Sequence, residues 1–238
     1  MTREYHKWFS PHLGRDMELL LFGHGGHPVL VFPTAKGRFY DYEERKLIDA
    51  VRSQYESGVL QAFCVDSVDS ESWSNTAIPP AQRALRHIQY ERYLLDEVLP
   101  FIKVRNTASR IAVTGCNFGG YHAANFAFRH PKLVSHCVSL GGTFNVHQLL
   151  NGYSDENCYF HCPPTFLPGL EDETILSQFR NHVRFVFAAG ETDPCIVENR
   201  HLSKILSSKH IPHWLDVWGA GTGHDGHWWQ QMTVKFFG

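Results

Sequence analysis

The sequence predicts an α/β fold, with a mostly parallel central sheet and helices on both faces. Three observations predict it. Short apolar runs of the kind carried by strands buried on both faces alternate with stretches of helical periodicity along most of the chain. The stretch Ser109 to Pro131 reads as a strand, a glycine-rich turn and a helix. Finally, Asn117, Asp193 and His224 each follow directly on a predicted strand, the end of an open α/β sheet where ligands collect.

Taken in order, Glu4 to Ser10 and Arg15 to Phe22 predict two strands joined by a turn at Pro11 to Gly14, forming an antiparallel edge. His24 to His27 makes a second turn, and Val29 to Phe32 is a compact apolar strand leading into the loop Pro33 to Gly37. Asp41 and Glu44 are spaced as a capping pair for one helix through Tyr55, with Leu47, Ile48 and Val51 on a shared face. Val59 to Val65 predicts a buried strand, and Asp66 to Pro80 a long polar loop of the kind that carries function. Leu85, Ile88, Leu95, Leu99 and Ile102 recur at helical steps and place one long helix between Ala81 and Lys103.

Ile111 to Val113 then begins the central strand, and Tyr121 to Arg129 is a helix rich in alanine and aromatics, stopped at Pro131. Leu133 to Leu140 predicts the next strand. Residues 142–181 form an insertion with short helical pieces that reads as cap-like, within a single domain spanning residues 1–238. Val183 to Ala189 and His213 to Trp218 are the last two strands, with a helix to about Lys209 between them and another around Trp228 to Phe237.

The turn at Gly115 to Gly120 has the pattern G-x-N-x-G-G. Glycines are needed there because the tip residue is strained and its neighbours pack closely. The tip residue is Asn117, whose amide is not a usable nucleophile, although asparagine tolerates positive φ better than most side chains. Cys116 beside it is expected to face the core with a raised pKa.

At 238 residues and 43% hydrophobic, the chain is long enough to bury about three-quarters of its unfolded surface as one domain. A net charge of −2 without runs of like charge points away from nucleic acid and anionic membranes as partners. No apolar stretch reaches a membrane span's length and the N-terminus lacks a secretory apolar segment, so a cytoplasmic protein is expected. Six cysteines without a C-x-x-C pair suggest buried free thiols. Cys158, His161 and Cys162 gather three soft ligands, but no second cluster completes a zinc-finger spacing, and no metal or cofactor is expected. The glycines Gly219, Gly221 and Gly223 come too late in the chain for a phosphate cradle.

The order nucleophile position, acid, histidine is that of Asn117, Asp193 and His224, and it is the order of the α/β-hydrolase fold, whose elbow reads G-x-S-x-G. Through Val29 to Gly37, the elbow, the Asp193 loop and the final histidine, the chain resembles the putative-esterase family of α/β-hydrolases. That family includes S-formylglutathione hydrolases, small carboxylesterases and mycolyltransferases. Family members often carry H-D-W-x-x-W at the histidine, where this chain has His224-Asp225-Gly226-His227-Trp228-Trp229.

The resemblance implies a carboxylic-ester hydrolase scaffold acting on a small acyl ester or thioester. His224 would be the base, Asp193 would fix its tautomer, and the N–H groups of Phe118 and Ala35 would form the oxyanion hole. Thr34, Trp73 and Trp228 are the candidate pocket residues. With serine replaced at position 117, the expectation is a very weak or inactive enzyme. The alternative is a non-catalytic ligand-binding homologue, and a third reading has Asn117 deamidating to a carboxylate nucleophile. The plainer readings are that Asp193 caps the next helix, that His224 is a surface histidine and that Trp228 packs the core. Oligomeric state stays open, a homo-oligomer included.

Overall fold

The computed structural model describes all 238 residues and contains eight strands in one sheet. β1 (Arg3–Ser10) and β2 (Arg15–Phe22) pair antiparallel across the predicted turn, and β2 joins β4 (Leu60–Val65), again antiparallel. β3 (His27–Phe32), β5 (Ile111–Cys116), β6 (Val134–Leu140), β7 (Arg184–Gly190) and β8 (His213–Trp218) complete the order β1-β2-β4-β3-β5-β6-β7-β8, all parallel from β4 onward. The α/β-hydrolase fold expected from the sequence is therefore present.

Side-chain alternation along the strands builds a core on each face. Leu19, Leu21, Leu30, Phe32 and Phe63 face one way, while Leu20, Phe22, Val29, Val31 and Ala62 face the other. The second face is covered by α1 (Asp41–Glu44), α2 (Leu47–Ala50) and α3 (Arg52–Glu56), together with the C-terminal helix α11 (Gly226–Phe237). The first is covered by α4 (Pro80–Tyr93), α5 (Leu99–Arg105), α6 (Phe118–Arg129), α9 (Glu173–His182) and α10 (Ile196–Ser208). Within residues 142–181, α7 (Glu156–Phe160) and α8 (Pro163–Phe166) are single turns, whereas α9 buries Leu176 and Phe179 in the main core. No helix is long and apolar enough to cross a membrane. All six cysteines are free thiols.

Three local expectations are corrected. The single helix from Asp41 to Tyr55 is three short ones, because Lys46 adopts φ 61° and turns the chain so that Leu47, Ile48 and Val51 reach the sheet. Asp41 does not cap it: its carboxylate accepts from the Thr34 N–H and hydroxyl and from Arg45. The long helix continues to Arg105, but through a π turn at Leu94–Val98 just before Pro100, whose ring supplies no N–H to a regular ladder. Before that turn its inward face is rotated from the one expected: Leu85 is 53% exposed, and Arg83, Ala84, His87, Tyr90 and Glu91 are buried, whereas Leu99 and Ile102 beyond it are buried as expected. The first half of the loop 66–80, read as long and polar, is internal, with Asp66, Asp69 and Trp73 at 0% exposure, and its second half, with Thr76, Ala77 and Pro79, is exposed.

That rotation sets a polar network inside the first face. His122 of α6 bonds Asp69 at 2.8 Å, Asn125 reaches His161 at 3.0 Å, and His87 lies edge-on to His161 with ring centroids 4.6 Å apart. Burial, reinforced by the positive charge of Arg129, pushes His161 down to about 3 and His87 well below its ordinary value. Burial alone would raise Glu91, but hydrogen bonds from His130 and Arg129 bring it down to about 2.

Acid sensitivity follows. Unfolded, His87 and His161 take up protons near pH 6.5, whereas folded they do so only far lower. The unfolded chain therefore binds more protons below that pH, so stability present above 6.5 is lost as pH falls toward 3, by about 1.4 kcal/mol per pH unit for each group. Glu91 adds a loss in the same direction below its ordinary value of 4.5. Thermal melts at about pH 7.5 and about pH 5.5 should show a lower Tm in acid, with a smaller difference in His87→Gln.

Candidate active site

The site is built at the carboxyl end of β5. Asn117 leaves the strand with φ 54° and ψ −119°, a conformation that costs about 1–3 kcal/mol and persists only where the surroundings enforce it. They do so through close backbone contact. A Cβ at Gly115 would lie 2.2 Å from the carbonyl carbon of Gly119, and one at Gly119 would lie 2.5 Å from the carbonyl oxygens of Phe32 and Pro33. These two glycines bring the first turn of α6 against the end of β3 and the loop that follows it. The Asn117 N–H bonds Leu140 of β6, and its carbonyl accepts from Gly120.

The loop after β3 is pinned at two points. Asp41 holds Thr34, and buried Asp69 accepts from the Lys36 N–H at 3.2 Å while bonding His122 through its other oxygen. Asp69 thus ties the loop to the same helix that starts at the elbow. Ala35, between the pinned residues, and Phe118, first in α6, have N–H groups that bond to nothing within the chain. An unpaired N–H at a helix start is a donor that suits an anionic oxygen, and the adjoining loop carries a second unpaired donor.

Asn117, His224 and Asp193 form one hydrogen-bonded line. The Asn117 amide nitrogen is 2.7 Å from His224 Nε2, and His224 Nδ1 is 2.9 and 3.0 Å from the two oxygens of Asp193. Asp193 is buried after β7, and His224 is partly exposed in the loop after β8. A carboxylate accepts only, so the ring proton sits on Nδ1, and Nε2 presents a lone pair to the amide N–H. Asp193 also accepts the Cys195 N–H at 2.7 Å, but it does not cap α10, whose N-cap residue is Cys195 with no side-chain cap bond, so the plainer reading of Asp193 gives way to its pairing with His224. Trp229 stands edge-on to the imidazole, with centroids 4.9 Å apart and a buried, unpartnered indole N–H.

The three pocket residues expected from the sequence fare differently. Trp73 has no accessible surface and packs on His87, Phe118 and Tyr121, so it backs the site from within and does not meet a ligand arriving from solvent. The Thr34 hydroxyl is turned to Asp41. Trp228 is half-buried beside His227, and it is Trp229 that touches His224. Nothing in the spacing separates adjacent tryptophans, because which one faces inward depends on where α11 begins. At Gly226 a side chain would enter open space.

Cys116 is buried against Tyr42 and pushed up to about 12 by burial, as expected of a core thiol. Cys158, His161 and Cys162 do not converge on one point, but Asp193, Cys195 and His224 do. Burial and the nearby Asp193 and Glu198 charges raise the Cys195 thiol to about 12. Sequence reasoning missed Asp69, His122 and Cys195; only the i, i+2 spacing of Cys195 from Asp193 was visible as a signal. An apolar cavity away from this site is walled by Phe128, Phe160, Phe166 and Phe179.

A family model described as Putative esterase matches residues 11–234. No curated protein matches the chain. Among solved structures, a ferulic acid esterase aligns with TM-score 0.76 at 18% identity, covering 98% of this chain and 95% of that one. The S-formylglutathione hydrolase FrmB from Staphylococcus aureus aligns at 0.72 and 15% identity, covering 98% and 96%. FphF, a fluorophosphonate-binding serine hydrolase of the same organism, aligns at 0.76 and 17%, with the same coverage. At these identities the likeness carries the fold.

Two outcomes check this geometry. Gly119→Ala should destabilise the chain by about 1–3 kcal/mol through backbone overlap, measured by urea denaturation. Nitrogen-15 NMR of the histidines should find His224 with its proton on Nδ1, a preference lost in Asp193→Ala.

Proposed function

The chain belongs to the Putative esterase family of α/β-hydrolases, and from that premise we propose that it is a carboxylic-ester hydrolase scaffold silenced at its nucleophile position. The ligand class is a small acyl ester or thioester. The line Asn117–His224–Asp193 carries the reading, because a base oriented by an acid points directly at the residue where a nucleophile belongs. The free N–H groups of Ala35 and Phe118 are assigned to a developing oxyanion. Asparagine offers no proton whose removal makes a nucleophile, and losing the nucleophile from such a triad costs roughly a millionfold in turnover.

The free thiols suit a reducing compartment, and the cytoplasm is the proposed location. Asn117→Ser is the direct test. It is expected to hydrolyse p-nitrophenyl acetate, with loss of activity on fluorophosphonate treatment. Serine is one bond shorter than asparagine, so His224 must advance on it, which its glycine-bearing loop Gly219 to Gly223 permits. A folded Asn117→Ser protein with no hydrolysis and no labelling overturns the reading.

A second reading rests on the amide itself. Its N–H satisfies His224 Nε2 at 2.7 Å, so the imidazole already has a partner that is not a substrate proton. In that case the unmodified chain binds small acyl esters or their acids without turnover, as saturable heat in calorimetry. An ester and acid panel that gives no heat removes it.

A further inference from the structure

Asp193, Cys195 and His224 are the one group of three metal-type donors in the chain, with one donor atom from each lying within 4.8 Å of the others. They are a carboxylate, a thiol and an imidazole on two loops at the same sheet end. In a tetrahedral zinc site such donors stand roughly 3.4–3.7 Å apart, so His224 Nδ1 and the Asp193 oxygens, now 2.9 and 3.0 Å apart, part slightly to admit an ion. Asp193 and Cys195 are separated only by Pro194, and the Cys195 N–H is already bonded to the Asp193 carboxylate, so the turn between them is fixed before any ion arrives. Asp193 is buried, while Cys195 and His224 are partly exposed, which leaves an entry path from solvent.

We infer that Asp193, Cys195 and His224 bind a soft divalent cation of the Zn²⁺ class. Charge supports it: one thiolate and one carboxylate neutralise a divalent ion, so the occupied, partly buried site carries no net charge. The balance of the step is simple. The Cys195 thiol loses its proton to solvent and the sulfur binds the metal. His224 gives its Nδ1 lone pair to the metal and carries its single ring proton on Nε2 instead.

Position 117 fits this second state as well as the first. An amide that now donates its N–H to Nε2 can rotate and accept from Nε2–H through its oxygen, the outer partner that metal-bound imidazoles require. With Nε2 protonated, the imidazole would not serve as base toward a serine placed at position 117.

The test uses the purified chain and ZnCl2 in titration calorimetry, with CoCl2 as an absorption probe for a thiolate-to-cobalt charge-transfer band. One equivalent should bind with that band. Cys195→Ser, checked for native circular dichroism, should lose the band and weaken Zn²⁺ binding by at least about tenfold. Cys116→Ser should keep both, and if Cys195→Ser proves unstable, His224→Gln serves in its place. No binding, or binding and band unchanged in Cys195→Ser and His224→Gln, overturns the proposal. Neither measurement reads hydrolysis, so the result stands apart from the fate of Asn117→Ser.

Discussion

Close backbone contact at the elbow is the constraint on which the rest of the site depends. Gly115 and Gly119 remove the side chains that would otherwise keep α6 away from β5 and from the end of β3. That approach holds Asn117 in its strained conformation and sets the first turn of α6 against the start of the loop after β3.

The elbow is held from beneath by polar chemistry. Asp69 sits at zero exposure and divides its two oxygens between the Lys36 N–H and His122, coupling the loop after β3 to the elbow helix through a single carboxylate. Around it, His87, His161 and Asn125 occupy space that apolar side chains could fill with less penalty. A buried polar group left unsatisfied costs about 1–3 kcal/mol, so such a network tolerates few alternative arrangements. It makes the support for the site specific in geometry and sensitive to protons.

Asn117 gives the site two self-consistent hydrogen-bond states where serine has one productive role. With the ring proton on Nδ1, the amide donates; with it on Nε2, the amide accepts. A shared acid and histidine can therefore belong to a silent triad or, with Cys195 as third donor, to the proposed cation site.

The sequence by itself determined the strand order's raw material, the elbow, and the three residues Asn117, Asp193 and His224, because each is encoded locally: an apolar run, a glycine spacing, a position after a strand. Buried strands must be apolar on both faces, and a tight turn must be free of Cβ atoms, so these features survive in one dimension. Only the tertiary structure decided the breaks at Lys46 and before Pro100, the burial of Trp73, the choice of Trp229 over Trp228, and the convergence of Asp69 on Lys36 and His122. Each of these depends on which way a helix is turned about its axis or on contacts between residues far apart in the chain. A one-residue change in where a helix begins rotates its face by about 100°, and no local pattern here specified that rotation.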